Sequence, residues 1–419
     1  MAGFNIKHSW RELLIFFSIM GPGLITAFAD NDAGGIATYS VAGATFGYGI
    51  LWAVIPITLV LILVQEMNAR MGVMTGKGLA DLIRENYGVK ITFFIMAALF
   101  VANITTAISN FAGIAAASEI FGLSRLVIIP ICAIIIWLII TKGNYKSTEK
   151  IFFILAFFYI TYIISGFMAK PDWSLALKST IKPTIQFDKE YLLLLIGLIG
   201  TTITPWMQFY MQAAFVEKGI KPENYKYSKA DVYISSIVTD IVTYFVILTC
   251  AATLFTAGIH VETAKEAALA LAPLAGRWAE YLFAIGLFVA SFFAAIILPI
   301  STAFCICEGI GFETGVNKNF KEAPQFYWIL TLIIAISAFV SMIPKLPLIK
   351  VMLTSQVISG IILPIILIIM LRLINKKEIM GEHVNSKFYN MIVWTAAIII
   401  IVLTLILVFV LLFGNILKI

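Results

Sequence analysis

Residues 21–35 read GPGLITAFADNDAGG, and residues 200–206 read GTTITPW. The first stretch places two carboxylates and a glycine pair in an apolar run, and the second places threonines and a proline in another. In a bilayer, unwound backbone is tolerated only where it is buried in protein or lines a cavity, and helices broken at mid-depth commonly form ion sites. The two stretches therefore predict two broken membrane helices that face one site.

The composition of the chain fixes its class. Of its 419 residues, 61% are hydrophobic and only 12% are charged, and the mean hydropathy is +0.99. A soluble domain of this length does not have such a composition, so we predict an all-α polytopic membrane protein in a lipid bilayer. The net charge of +6 is attributed to membrane topology, and no nucleic-acid partner is expected.

Hydropathy predicts eleven membrane helices in a single transport domain, residues 1–419. Each span needs about 20 apolar residues. The longest connections, about 170–189 and 258–278, are predicted to be loops or short surface helices. The predicted helices cover about 13–44 (broken), 48–71, 91–121, 126–141, 150–169, 190–217 (broken), 230–257, 279–311, 326–342, 351–374 and 389–413.

The distribution of basic residues predicts the orientation of the chain. With a cytoplasmic amino terminus, 19 of the 29 Lys and Arg residues fall on the cytoplasmic side and 10 on the other. This asymmetry is what the positive-inside rule requires. We therefore expect a multi-pass protein of the cell membrane with its amino terminus in the cytoplasm and its carboxyl terminus outside.

The two predicted breaks lie in the first and the sixth helix, so five helices separate corresponding features. An odd spacing means that the two halves enter the membrane from opposite sides, which is an inverted repeat with a site between the halves. The first repeat would cover about 13–169 and the second about 190–374. The helix at about 389–413 would be an addition to this five-plus-five core.

Asp32 is the strongest candidate for a metal ligand. A carboxylate in the bilayer interior usually marks an ion site or pathway, and Gly34 and Gly35 help to free backbone carbonyls beside it. Carboxylate and carbonyl oxygens suit Mg²⁺, Ca²⁺ or Mn²⁺. The structural alternative is an aspartate that caps a kinked helix. Asp30 is either a residue of the cavity mouth or a partner of a ligand, and Asn31 is a plausible polar neighbour.

The second break offers oxygen donors of its own. Pro205 lacks a backbone N–H and opposes helix continuation, which frees carbonyls around Thr201 and Ile203. Thr204 places a hydroxyl at the break, although bonding back to its own helix is an equally ordinary role. Trp206 carries no proton at neutral pH, and its ordinary role is packing.

Other polar residues within predicted spans either line the cavity or bond helix to helix, and the sequence does not choose between these roles. These residues are Asn103, Asn110, Asp240, Glu308 and Gln356. Asp231 and Glu217 are expected to be solvated charges near the cytoplasmic edge. No histidine falls inside a predicted span, so a histidine proton relay has no candidate.

Over nearly its whole length the chain resembles the NRAMP divalent-metal transporters. That resemblance implies the fold of the leucine transporter, with an ion site between broken helices 1 and 6, in agreement with the repeat argument. It rests on several motifs in the right order: Gly21-Pro22-Gly23, Asp32-x-Gly34, Phe46-Gly47-Tyr48, Ala69-Arg70-Met71-Gly72-x-x-Thr75-Gly76-Lys77, Thr204-Pro205, Glu308-Gly309, Ser355-Gln356-Val357 and Leu363-Pro364.

The departures from the family pattern bear on the substrate. Metal-transporting members have Asp-Pro-Gly-Asn where this chain has Asp32 to Gly35, and Met-Pro-His where it has Thr204 to Trp206. The asparagine ligand, the soft thioether and the histidine are thus replaced. The acid of the family's third helix aligns provisionally with Asn110. These changes resemble those of the NRAMP-related magnesium transporters, a branch that takes up Mg²⁺ and Mn²⁺ without coupled protons.

The resemblance implies a role for each residue at the site. Asp32 would be the carboxylate ligand, Thr204 would stand in the methionine position, Thr201 would offer its carbonyl, and Gly35 would maintain space. We accordingly expect a secondary carrier that imports largely hydrated Mg²⁺, and also Mn²⁺, by alternating access without proton coupling. The ion is its substrate, and no cofactor is expected; the sequence leaves the oligomeric state open.

Two other functions remain open at this point. One is a proton-coupled importer of Mn²⁺ or other transition metals, which would need another membrane acid such as Asp240. The other is an organic-substrate symporter of the same fold, against which Asp32 argues because it would repel a substrate carboxylate. An enzyme is not expected, since no nucleophile with a base and no His-Glu-x-x-His pattern is present.

Overall fold

The computed structural model describes residues 21–142, 159–315 and 318–417. Helices dominate this part of the chain. Short helices, Ala264–Ala268 and Ala272–Ala275, lie in the connection over residues 251–278. The main helices are α1 (Pro22–Asp30), α2 (Ala33–Phe46), α3 (Val54–Thr75), α4 (Leu79–Ile120), α5 (Arg125–Lys142), α6 (Tyr159–Met168), α7 (Trp173–Ile181), α8 (Lys189–Thr202), α9 (Pro205–Glu217), α10 (Tyr225–Cys250), α11 (Ala279–Ile310), α12 (Pro324–Ser341), α13 (Leu348–Ile374) and α14 (Lys387–Leu417).

Among the described residues, nine helical segments are long and apolar enough to cross a membrane. They account for the predicted helices except the fifth, of which only α6 is described, and the first two merge into one segment, Ala33–Thr75. Residues 13–20 and 150–158 of the predicted first and fifth helices lie outside the described part. The helix α4 begins earlier than predicted, but its backbone leaves the helical region at Gly88, where φ is 74°. The all-helical membrane class is confirmed.

The first predicted break lies between α1 and α2. Pro22 opens α1, at the helix position that tolerates a missing N–H, and α1 ends at Asp30. Asp32 is extended, with φ −74° and ψ −173°, so it acts as the N-cap residue of α2. Its carboxylate Oδ1 accepts a hydrogen bond of 2.8 Å from the backbone N–H of Gly35, which satisfies a donor that has no helical partner.

The second break lies between α8 and α9. The helix α8 ends at Thr202, Ile203 leaves helical geometry with φ −121° and ψ 62°, and Pro205 is the first residue of α9. In a continuous helix, the N–H of residue 205 would bond the carbonyl of Thr201. Proline has no N–H, so that carbonyl is released from the helix.

Close helix packing holds the two breaks against a central core. The long helix α4 packs along α11 and α13, and α13 packs closely on α8. At Gly200 the two backbones approach so tightly that a Cβ atom would overlap the carbonyl oxygen of Gln356 and the backbone of Gly360. Such contacts between small residues are typical of membrane helix interfaces.

The last helix, α14, is tied to the core by a buried carboxylate. Glu66 of α3 is only 4% exposed, and its side chain accepts hydrogen bonds from Tyr225 and from Tyr389, the latter at 2.6 Å. Arg70, one turn further along α3, forms an ion pair with Glu66 at 3.0 Å and also bonds Asn385. This network joins α3, α10 and α14.

Candidate metal site

The carboxylate of Asp32 lies at the centre of the first break and is 4% exposed. Besides the N–H of Gly35, its Oδ1 accepts a long hydrogen bond of 3.4 Å from the side-chain amide of Gln356. Asn110 lies on the other flank, where its Oδ1 accepts the backbone N–H of Ala33 at 3.3 Å. The structural alternative for Asp32, helix capping, is thus realised, and it leaves one oxygen of the carboxylate, Oδ2, outside the cap bond.

Gln356 of α13 reaches the first break because Gly34 has no side chain. A Cβ atom at position 34 would overlap the amide group of Gln356. The carbonyl oxygen of that amide is buried and has no hydrogen-bond partner among the described residues. Gln356 therefore presents a free acceptor beside Asp32.

The second break faces the first through Thr201. A Cβ atom at Gly35 would lie 3.0 Å from the carbonyl oxygen of Asp30 and 3.1 Å from the hydroxyl of Thr201. Because Gly35 has no side chain, no atom at this position separates these two oxygens. In the described part of the chain, the buried hydroxyls of Thr201 and Thr204 both lack a partner.

Thr204 is the N-cap residue of α9, but its hydroxyl does not cap that helix. Instead, its carbonyl accepts the side-chain amide of Gln208 at 3.0 Å, and Gln208 in turn accepts from Asn68 of α3 at 2.5 Å. Trp206 is 3% exposed, and its ring centroid lies 5.9 Å from that of Tyr210. The Trp206 side chain therefore packs against the ring of Tyr210 in the protein interior.

Two tyrosines and a threonine support the first break, and no motif in the sequence predicts these contacts. Tyr159 donates to the carbonyl of Asn31 at 3.0 Å. The hydroxyl of Thr243 lies 3.5 Å from the side-chain oxygen of Asn31. Tyr39 pairs with Thr202 at 3.4 Å and so connects the two broken helices. Single tyrosines within apolar helices carry no signal in the sequence that distinguishes them from packing residues.

Asp30 and Asp240 form a second acidic centre next to Asp32. Their exposures are 2% and 3%. None of their four carboxylate oxygens has a hydrogen-bond partner among the described residues. Asp30 lies close enough to interact electrostatically with both Asp240 and Asp32. Asp30 therefore belongs to the same acidic region as Asp32, although two positions separate them in the chain.

Three buried carboxylates without basic partners define the electrostatics of this region. The ion pairs in the described ranges involve none of Asp30, Asp32 and Asp240. A buried charge without a counter-charge is costly, so the arrangement favours a cation. No cluster of three or more His, Cys, Asp or Glu with metal-ligand geometry is found in the described residues. The available donors are thus a mixture of carboxylate, hydroxyl, amide and backbone oxygens, which suits a hard cation.

Several predicted polar residues lie elsewhere. Asn103 donates to Thr302 at 2.9 Å and so bonds helix to helix. Glu308 lies against Gly78 and Arg84, away from the breaks. The expectation that Asp231 is a solvated charge is wrong. Asp231 is fully buried, because its carboxylate accepts the backbone N–H groups of Gly23 at 2.8 Å and Gly21 at 3.4 Å.

The bond to Asp231 has a simple physical origin. The first N–H groups of a helix have no partner within the helix, and its N-terminus carries partial positive charge. Asp231 of α10 supplies the acceptor and the negative charge for α1. Only the tertiary structure brings together residues 208 positions apart.

These features define a class: a multi-pass helical membrane protein of the leucine-transporter-like fold, with two broken helices around a buried acidic site. The family model described as "Natural resistance-associated macrophage protein-like" matches residues 23–410. The chain therefore belongs to the NRAMP family.

Relatives support both the family and the fold. The chain is 26% identical over 381 residues to a protein of Yersinia pestis (strain Pestoides F) named divalent metal cation transporter MntH, covering 89% of this chain and 90% of that protein. The manganese transporter of Eremococcus coleocola, solved with an aromatic bis-isothiourea compound, is 20% identical and superposes with a TM-score of 0.75, covering 95% of this chain and 87% of that one.

A more distant structure shares the same architecture. Mhp1, a nucleobase-cation-symport-1 family transporter, is 13% identical and gives a TM-score of 0.56, covering 92% of this chain and 91% of that chain. The prediction of a leucine-transporter-like fold is confirmed. The named relatives are transporters, and the prediction that this chain is not an enzyme is confirmed at the level of its family.

Proposed function

We propose that this protein is a carrier of divalent metal cations that transports Mg²⁺, and also Mn²⁺, without moving protons in exchange. The family and the named relatives support divalent metal transport. The choice of Mg²⁺ rests on one observation. The two breaks present oxygen donors, and one of them is the buried hydroxyl of Thr204. The resemblance to metal-transporting members implies a methionine at this position in those proteins.

The proposed ligands come from both broken helices. Asp32 supplies a carboxylate, Thr201 its released carbonyl, and Thr204 its hydroxyl, while Gly35 keeps the space between the breaks. Asn31 and Gln356 complete the polar lining. The hydroxyls of Thr201 and Thr204 are buried and have no partner among the described residues. This supports an ion next to these two residues, because an acceptor without a protein partner is free to bind an ion or its water.

Hard oxygen donors favour Mg²⁺ more than a thioether does. A thioether binds softer transition ions in preference to Mg²⁺ or Ca²⁺, so its replacement by a hydroxyl removes that discrimination. Mg²⁺ also loses water reluctantly and keeps several waters when few protein ligands are present. A site with one direct carboxylate and no side chain at Gly35 fits a partly hydrated ion.

Uptake without coupled protons is supported by the groups that replace titratable ones. Trp206 is buried by packing, and Asn110 bonds the backbone of Ala33 rather than offering an acid. An inside-negative potential drives a divalent cation inward by about 4.6 kcal/mol per 100 mV, which is twice the value for one charge. That driving force acts on the ion itself and requires no proton gradient.

The decisive experiment reconstitutes the protein in liposomes containing a Mg²⁺ dye and a pH dye. The variant Asp32→Asn is the sharpest control, because asparagine caps a helix as well as aspartate does but removes the charge. We expect voltage-dependent Mg²⁺ entry without acidification, and loss of entry in Asp32→Asn. Entry of Mn²⁺ alone with matching acidification would instead establish the proton-coupled importer, for which Asp30 and Asp240 are the remaining acids.

A further inference from the structure

A small cavity lies on the predicted cytoplasmic side of Asp32, and some of the polar side chains in its wall have no hydrogen-bond partner among the described residues. It lies between α1, α3, α9 and α10 and has a volume of about 10 Å³. That is about the smallest cavity of this kind that can hold one water molecule. Asp30, Gln65 and Thr239 contribute polar side chains to its wall.

Gln65 is the second feature that points to a ligand. Its side chain is 1% exposed, and in the described part of the chain neither its amide oxygen nor its amide nitrogen has a partner. An unpaired buried amide costs free energy comparable to a lost hydrogen bond. Gln65 and Asp30 line one cavity from different helices, α3 and α1.

Asp240 is not one of the residues that line the cavity, but it adds charge close to Asp30. It follows Thr239 in α10 and interacts electrostatically with Asp30, and its carboxylate lies near Thr58 of α3. Hydroxyls nearby are already engaged: Thr239 donates to the carbonyl of Ala27 at 3.2 Å. The two carboxylates and the amide oxygen of Gln65 are therefore acceptors in this region that have no partner among the described residues.

Charge balance argues for a second cation. Asp30, Asp32 and Asp240 together carry three negative charges when ionised, and one divalent ion at Asp32 neutralises two of them. No Lys, Arg or His pairs with Asp30 or Asp240 among the described ion pairs. Carboxylate and amide oxygens, which Asp30 and Gln65 supply to the cavity, are ligands that Mg²⁺ and Mn²⁺ accept.

We propose that Asp30 and Gln65, with the charge of Asp240 beside them, form a second binding site for the transported divalent cation, on the predicted cytoplasmic side of Asp32. The inference rests on the proposed divalent-cation transport. An ion released from Asp32 moves into this site as the cavity widens. Asp30, the last residue of α1, is the next carboxylate that such an ion meets on the side of the α1 N-terminus. The small volume restricts the site to one ion with few waters in this conformation.

The test counts ions bound to the purified full-length protein by equilibrium dialysis with Mn²⁺. We expect two ions per chain in the wild type, one in Asp30→Asn, one in Asp32→Asn and none in the double variant. Gln65→Leu should retain both ions with the second held about tenfold more weakly. Asp172→Asn, which alters an exposed cap of α7, should match the wild type.

The outcomes separate this inference from the proposed function. One ion per chain in the wild type, lost in Asp32→Asn, would overturn the second site and leave the proposed function intact. Two ions that persist in Asp30→Asn would also overturn it. The absence of any bound Mn²⁺ or Mg²⁺ would overturn the divalent-cation carrier itself. A thermal melt of each variant shows whether it is folded.

Discussion

Removal of the Asp231 carboxylate should loosen α1 and open the cavity behind Asp30. The bond from Gly23 N–H to Asp231 is 2.8 Å long and buried, whereas the contact from Gly21 is long, at 3.4 Å. A hydrogen bond to a charged group contributes about 1.5–3 kcal/mol, and we take about 2–3 kcal/mol for this cap. At 1.4 kcal/mol per factor of ten, Asp231→Ala shifts the opening of α1 by about 30- to 140-fold.

A cysteine reporter measures this shift. Ala27 lines the cavity, and the four native cysteines are all buried, so labelling of Ala27→Cys by a small permeant thiol reagent reports opening. The rate should rise by about the calculated factor in Asp231→Ala and by less in Asp231→Asn, which retains an acceptor oxygen. Asp172→Ala removes a comparable cap from the exposed helix α7 and should leave the rate unchanged. A change below threefold in folded Asp231→Ala would refute the capping argument.

Two further predictions concern packing and selectivity. Gly200→Ala should destabilise the protein by about 1–3 kcal/mol, because its Cβ would overlap the backbone of α13. Gly197→Ala on the same helix should be tolerated, because a Cβ there would lie 3.5 Å from its nearest neighbour, Thr38. Equal melting temperatures of the two variants would contradict this prediction. Thr204→Met should shift competition in the uptake assay from Mg²⁺ toward Mn²⁺ by restoring a thioether. Unchanged competition would count against the soft-ligand argument. Gly35 is left intact because a side chain there meets Asp30 and Thr201 closely.

The positions of both breaks could be predicted from the sequence because their causes are local. Pro205 cannot donate to the carbonyl of Thr201, and Asp32 can cap the helix that follows it, whatever the surroundings. Hydropathy likewise predicts which segments are helices, since every backbone polar group in a bilayer needs an internal partner. The inverted-repeat boundaries, about 13–169 and 190–374, and the ligand roles at the site stay predictions.

The errors arose where a residue's role depends on a distant partner. Asp231 looked like a surface charge because its position near the end of a helix is all that the sequence gives. Its burial follows from contact with the N–H groups of α1, 208 residues away. Gln65 drew no attention for the same reason, since an isolated glutamine in an apolar helix usually bonds a neighbouring helix.

The sequence by itself determined the membrane class, the two helix breaks and the presence of a carboxylate at the first one. Those properties follow from hydropathy and from the covalent chemistry of proline, glycine and aspartate. Only the tertiary structure decided that Asp30 and Asp240 lie together, that Gln356 reaches Asp32 over Gly34, and that Asp231 caps α1. Each of these depends on how helices far apart in the chain pack, and packing brings side chains into contact without leaving a periodic signal in the sequence.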